Sequence, residues 1–395
     1  MTAGHAAARS AIYPPMRAVE HATTLDGVRP TRLFGVLWPL WQVDVEAEIY
    51  EHQAYEVLDR FVVRGIGHAR LSTVDELSRF FGLDPGLVRR VLEFLALIQH
   101  VEVAGDRCRL TPLGQRGLAA DVRYVPKKGR QYLLFDRMTM RPLPRSHYSG
   151  DIRLLDESEL PGPQSVRLVP LFLTAPFQPD ALAQLAARPD RTAFNLPVEL
   201  ASPKLVGIRE VFLPAYLVET ADGRPPVLAY SMASTGRDTV LEELCDERSV
   251  LAGLVRAEPT ADPRPLWEDW LARKGQPATG LRRLPSGVWR VTLPAAAFGT
   301  QGTPFGLAQL GSFAFHKQHF AQLWCTDGEL RRTAVLHRVS LMSRTRLRDR
   351  TGTADQLALV ARQLEVDPPA VEELSRYATN TGRPEFQDWL ESPEH

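Results

Sequence analysis

The chain has 395 residues, of which 44% are hydrophobic, and its 47 basic and 47 acidic side chains cancel to zero formal net charge. That length predicts two or three domains with proper cores. The charge balance excludes a uniformly basic coat for nucleic acid, while local basic patches stay open. Lysine occurs only at Lys127, Lys128, Lys204, Lys274 and Lys317, so arginine carries the rest of the positive charge, and the rich Ala and Pro content suggests a high-GC bacterial coding sequence. Cys108, Cys245 and Cys325 lie far apart without a Cys-x-x-Cys pair and read as free thiols of a reducing cytoplasm.

Residues 1–31 hold Arg9, Arg17 and scattered Ala, His and Pro, with no continuous apolar core of the kind a secretory leader needs, and read as a flexible tail. The run Leu33 to Trp41 is apolar but far shorter than the ~20 residues that cross a bilayer. Beyond it Trp41, Val43, Val45, Ala47 and Ile49 alternate with Gln42, Asp44, Glu46 and Glu48. This period of two predicts a strand with a wet acidic face, and a solvated sheet face accounts for Asp44, Glu46 and Glu48 better than metal binding does.

From Tyr55 the apolar residues Leu58, Phe61, Val62 and Ile66 share one helical face. Thr73 with Glu76 forms a capping box for a second helix, which carries Val74, Leu77, Phe80 and Phe81 and stops at Gly82. Asp84 caps a third helix, Pro85 occupies its first position, and Leu87, Val88, Val91, Leu92, Leu95 and Ile98 form its buried stripe. Val101 and Val103 lead through Ala104-Gly105-Asp106 to Cys108 and Leu110, a short hairpin, and another helix starts at Pro112.

Helix, turn, helix, two-stranded wing and closing helix is the order of a winged helix. At Leu110-Thr111-Pro112-Leu113-Gly114, together with Gly82-Leu83-Asp84, residues 55–118 resemble the MarR and ArsR type of winged-helix module. The resemblance implies that the third helix enters a DNA major groove and presents Arg89 and Arg90 there, beside Gly86 and Glu93, with Arg107 and Arg109 on the wing. Two features point the other way, toward a protein-docking use. Phe94 and Leu97 add apolar surface to the third helix, and residues 53–120 hold nine Arg against eight Asp or Glu.

The strongest local positive charge comes next. Residues 122–150 carry Arg123, Lys127, Lys128, Arg130, Arg137, Arg141 and Arg145 against the single acid Asp136, with Tyr124, Tyr132, Phe135 and Tyr148 interleaved. Cations that neutralise phosphates beside rings that stack on bases suit nucleic acid. An interdomain connector with packed aromatics and solvated charges is the alternative, with a strand at residues 132–136.

Residues 161–350 read as a β-rich domain with short helices. Strands are expected at 166–173 and 287–293, helices at 179–187, 239–245 and 263–274, and hairpins at Glu210 to Tyr230 around Asp222-Gly223 and at Phe320 to Leu341 around Asp327-Gly328. The similar stretches Trp38 to Val43 and Leu213 to Val218 suggest two strands of one sheet. His316, His319, Cys325 and Asp327 are the best metal candidates, but a spacing of three along a strand puts the two imidazoles on opposite faces, so no metal site is assigned. The phosphate-loop, Gly-x-Ser-x-Gly and His-Glu-x-x-His templates are all absent, and no catalytic residue or cofactor is assigned.

At the end of the chain, residues 331–350 hold seven Arg and one acid, and residues 353–395 hold nine Asp or Glu against three Arg, so the acidic segment can fold over the basic one or repel nucleic acid from that end. The expected fold class is α+β. An N-terminal winged helix-turn-helix domain (32–120, with its preceding strand) connects through 121–160 to the larger β-rich mixed domain (161–350) and a short acidic C-terminal helical segment (351–395). The expected role is a non-enzymatic bacterial cytoplasmic protein that binds nucleic acid, as a regulator or as a subunit of a multiprotein complex. Its nucleic-acid residues are Arg89, Arg90, Arg107, Arg109, Arg123, Lys127, Lys128 and Arg130, its partners are DNA and a protein or a second copy, and it has no membrane partner. The alternatives are a scaffold whose winged helix contacts proteins and an enzyme with its site in the β-rich domain.

Overall fold

The structure is a computed structural model that describes residues 12–149, 152–159, 166–171, 175–197, 200–221, 225–257, 262–277, 280–299, 302–345, 353–382 and 386. It is a mixed helix and sheet protein that divides into two compact units. The first unit comprises Met1–Leu40, Ser146–Ala175 and Val211–His395, and the second comprises Trp41–Arg145 and Pro176–Glu210. The division differs from the expected linear series of domains because two long strands, β1 (Arg29–Ala54) and β6 (Ala201–Ala221), run through both units. They are neighbours in a five-stranded sheet of order β4 (Val122–Asp136), β1, β6, β7 (Val227–Ser231), with β5 (Leu168–Pro170) parallel to β1, so the strands carrying the two similar stretches do share one sheet.

In the second unit, α2 (Val57–Gly67), α3 (Val74–Phe81) and α4 (Pro85–Leu97) are followed by the antiparallel pair β2 (Val101–Ala104) and β3 (Arg107–Leu110), and then by α5 (Pro112–Ala120). Each boundary has a local cause. The Thr73 hydroxyl accepts the Glu76 N–H while the Glu76 carboxylate accepts the Thr73 N–H, and α3 ends at Gly82, whose φ of 65° an L side chain rarely adopts. Asp84 accepts the Gly86 and Leu87 N–H groups and starts α4. Thr111 does the same for Gly114 at the start of α5. Val62, Val63, Leu77, Val88, Leu92 and Leu95 form the shared core of these helices.

Beside them runs β4 (Val122–Asp136). Within residues 121–160, read as a connector with a strand at 132–136, the strand thus begins ten residues earlier than expected. Along the second unit's part of β1 the expected alternation is present: Trp41, Val43, Val45 and Ala47 are buried, and Gln42, Asp44 and Glu46 are not. Those buried residues pack with Leu133 and Phe135 of β4 and with Leu182 and Leu185 of α6 (Asp180–Ala187).

The first unit opens with α1 (Pro15–Thr24), whose Ala18, Val19 and Ala22 are fully buried. The reading of 1–31 as a flexible tail is corrected for this segment, because three small apolar residues at helical spacing pack against Tyr216 and Tyr230; residues 1–11 lie outside the described residues. In this unit β6 pairs antiparallel with β7 (Val227–Ser231), Ala215 facing Ser231, while the expected Asp222-Gly223 turn lies outside the described residues. Helices α7 (Thr239–Glu247), α8 (Val250–Ala257) and α9 (Pro263–Arg273) follow, and Trp267 of α9 is completely buried. A four-stranded sheet has the order β12 (Phe313–His316), β13 (His319–Trp324), β9 (Trp289–Thr292), β8 (Leu281–Arg283), and the short parallel pair β10 (Phe298–Gly299) and β11 (Phe305–Gly306) lies between β9 and β12 in sequence.

A second correction concerns Asp327-Gly328, which starts α10 (Gly328–Thr345) and does not turn a hairpin. The Asp327 carboxylate accepts the Glu329 and Leu330 N–H groups at 3.0 and 3.1 Å, the geometry of an N-cap. The helices α11 (Thr353–Gln363) and α12 (Val371–Asn380) pack on α10, where Glu373 pairs with Arg332 at 2.6 Å and Glu365 lies 4.0 Å from Arg331. Acidic and basic segments thus meet in one unit.

Candidate nucleic-acid interface

All eight cations singled out in the sequence lie in the second unit, and the fold sorts them into three groups. Arg89 and Arg90 belong to the first. The α4 stripe of Val88, Val91, Leu92 and Leu95 is buried, which turns Arg89, Arg90 and Glu93 outward as exposed side chains. Neither arginine forms an ion pair among the described residues, and the same holds for Arg107, exposed at the start of β3. The helix positions of Arg89 and Arg90, early in α4, are where a groove-inserted helix carries its contacts.

The second group is exposed but already matched. Arg109 faces Glu102 across the β2/β3 pair and donates to its carboxylate at 2.6 Å. On β4, Lys128 and Arg130 both lie 3.8 Å from Glu46, and Lys127 lies 4.0 Å from Glu51. Glu46 belongs to the acidic face of β1, which also presents Asp44 to Arg209 at 3.9 Å, while Glu51, an odd number of residues further on, does not. The face read as merely solvated is therefore a row of cross-strand ion pairs. Such exposed pairs are loose, and a phosphate can compete for their cations, but each cation that leaves its carboxylate gives up the interaction it had.

Arg123 alone makes the third group, and here the assignment as a nucleic-acid residue is corrected. Its side chain is only 14% exposed; it donates to Asp59 at 3.0 Å and to Gln53 at 3.2 Å, approaches Glu56 at 3.4 Å, and lies over the Phe94 ring. Burial pushes the Asp59 carboxyl upward, and the Arg123 contact opposes that shift. The off-stripe Phe94 is likewise explained within the unit, as the ring beneath Arg123. Of the interleaved aromatics, Phe135 is in the core and Tyr124 packs edge-on against His52 at 4.8 Å, while Tyr132 remains exposed.

At the joint between these elements is His100, which is fully buried. Its Nε2 accepts the Tyr124 N–H at 2.9 Å, the shorter of its two Tyr124 contacts, the carbonyl lying at 3.2 Å, and its Nδ1 lies 2.9 Å from Tyr55 Oη. An Nε2 that accepts leaves the proton on Nδ1, which then donates to the tyrosine. Burial holds this imidazole below its ordinary pKa, consistent with the neutral form, and pushes the Tyr55 hydroxyl up to about 12.

In the first unit His316 and His319 face each other as a cross-strand pair closing the β12/β13 hairpin, so the expectation of one strand with the imidazoles on opposite faces is corrected. Cys325 is buried in the core and Asp327 caps α10. Among the described residues there is no group of three His, Cys, Asp or Glu placed to hold a metal ion. All three cysteines are free and buried, and burial pushes the Cys108 and Cys245 thiols up to about 11, away from thiolate reactivity.

One polar cluster had no sequence signal at all. Asp238 Oδ2 accepts from Ser231 Oγ at 2.5 Å and lies 3.2 Å from His147 Nε2, and its other oxygen caps α7 through the Leu241 N–H. Burial raises the Asp238 carboxyl, but these bonds outweigh it and hold it below the usual carboxylate value. The residues are 91 and 7 positions apart, a separation no local pattern reveals. The Leu241 contact fastens the start of α7, Ser231 and His147 hold the carboxylate, and His147 Nδ1 lies 3.2 Å from Ser146 Oγ.

No family model, curated protein or solved structure matches the chain. No described helix is long and apolar enough to cross a membrane.

Proposed function

We propose that residues 55–118 act as a winged helix-turn-helix that binds duplex DNA, with α4 in the major groove and the β2/β3 pair as the wing, in a non-enzymatic protein working as a regulator or as a subunit of a larger complex. The observation that carries this reading is the state of Arg89 and Arg90: two adjacent exposed guanidinium groups, early in α4, with no carboxylate partner among the described residues. Arginine forks suit both phosphate oxygens and guanine edges. Arg107 supplies a third such cation on the wing. The free, buried cysteines favour a reducing, cytoplasmic setting.

A salt-titrated assay on duplex and single-stranded DNA tests the proposal. Duplex binding that weakens steeply with salt is expected, since each neutralised phosphate releases counterions. Absence of binding even at low salt sinks it. A second reading has its own support: Val57 and Phe61 of α2, Phe80 of α3 and Leu97 of α4 are large apolar side chains left exposed, and Phe61 and Phe80 both pack on Phe81. Exposed apolar surface on a small helical module suits docking to another protein. Under that reading, Phe61→Ser with Phe80→Ser removes a protein contact and leaves DNA affinity alone.

A further inference from the structure

The first unit contains a cavity of about 400 Å³, within the size range of small-molecule sites. Helix α1 contributes Met16, Arg17, Glu20, His21 and Thr24, and α10 and α11 contribute Arg338, Leu359, Val360 and Gln363. Arg338 is the decisive residue. Its side chain is almost wholly buried and forms no ion pair among the described residues, and Glu20 of the same lining acts on it only through space. Its guanidinium donates to the Ala308 carbonyl at 2.9 Å, to the Leu310 carbonyl and to Gln363 Oε1 at 3.2 Å. Those acceptors are neutral, and three of the five N–H donors of a guanidinium are used, which leaves two.

A buried positive charge with no carboxylate in contact is expensive, and an anion entering the cavity relieves that cost. The other lining groups set the kind of anion. Arg17 is exposed, donates to the Thr235 carbonyl at 3.1 Å and has no carboxylate partner of its own among the described residues. Glu20 is the single acid of the lining, which leaves an excess of one positive charge there with His21 neutral. Burial, followed by Arg237 and Arg17, holds His21 below its ordinary pKa, and its Nδ1 is bonded to Tyr230 Oη at 3.0 Å. Pro14, Met16, Leu359 and Val360 supply apolar wall.

We propose that this cavity binds a small monoanion with an apolar body, a carboxylate held by Arg338 and Arg17 with its hydrocarbon part against Met16, Leu359 and Val360. The site is separate from the DNA-binding reading and stands without it.

Calorimetric titration of the full chain with hexanoate, 1-hexanol and inorganic phosphate tests this. Hexanoate is expected to bind saturably at one site, and 1-hexanol, which has the same body without the charge, at least about tenfold more weakly, the scale of a charge-assisted hydrogen bond. Phosphate is expected to displace hexanoate poorly, because it leaves the apolar wall unfilled. Arg338→Gln should abolish hexanoate binding. Because that variant also loses buried hydrogen bonds, Arg17→Gln, at an exposed position, provides an independent arm with an expected loss of about threefold to tenfold. Equal affinity for hexanoate and 1-hexanol, no saturable binding, displacement by phosphate at matched concentration, or an unchanged Arg17→Gln each overturns the proposal.

Discussion

Helix α4 and strand β4 of the second unit both carry clustered arginine and lysine, yet the fold treats them in opposite ways. On α4, Arg89 and Arg90 project from the face opposite a buried stripe and meet no acid among the described residues. On β4, Arg123, Lys127, Lys128 and Arg130 each reach a carboxylate, three of them through β1 residues Glu46 and Glu51 and one through Asp59. Density of charge along a sequence is therefore a poor guide to free charge in a sheet, where the neighbouring strand decides what each cation faces. On α4 the one acid at facing distance, Glu93, three positions from Arg90 and four from Arg89, forms no ion pair with either among the described residues, an arginine N-terminal to its acid being the weaker order on a helix.

The comparison can be broken most forcefully at Arg123. Replacing it with Ala leaves Asp59 partly buried without its partner and removes the plane stacked on Phe94, so a loss of about 3 kcal/mol in unfolding free energy is expected from denaturant titration; a loss below about 1 kcal/mol would return Arg123 to the exposed, matched group. His100 gives the next effect. Its folded pKa is depressed, so its contribution to stability is present above the ordinary histidine value and is lost as pH falls through the folded value. Stability measured from pH 7 to pH 5 should fall in the parent chain, and His100→Gln should flatten that dependence. An identical slope in both proteins contradicts the neutral, bonded imidazole.

Smaller effects sharpen the division among the β4 cations. Glu46→Gln releases Lys128 and Arg130 and should strengthen low-salt, sequence-independent DNA binding by about twofold to fivefold, the worth of one or two exposed ion pairs. Lys128→Ala, at the weak end, should change unfolding free energy by less than about 1 kcal/mol. A larger change in the unfolding curve shows that the row of cross-strand pairs is structural.

What could be read in the sequence follows the same divide between near and far. The Thr73 and Glu76 box, the Asp84 cap with Pro85, and the Gly82 stop are fixed by residues within four positions of one another, and each appears where expected. The burial alternation from Trp41 to Ala47 was equally readable. Reading failed where a local signal has two meanings: Asp327-Gly328 suits a hairpin turn, but an aspartate whose carboxylate meets the N–H groups two and three residues on starts a helix. It failed again where partners are distant. Nothing near Lys128 announces Glu46, and nothing near His147 announces Asp238. The discontinuous units are hidden for the same reason, since a strand that serves both is one uninterrupted pattern in sequence.

The most direct test of the central claim, that α4 supplies the free cations, is the salt dependence of duplex DNA binding in the parent chain and in the Arg89→Ala, Arg90→Ala double variant. Each lost phosphate contact lowers the slope of log affinity against log salt by about 0.9, so a drop of about two is expected with the fold retained by circular dichroism. An unchanged slope, or a parent chain that does not bind duplex DNA at low salt, contradicts the account.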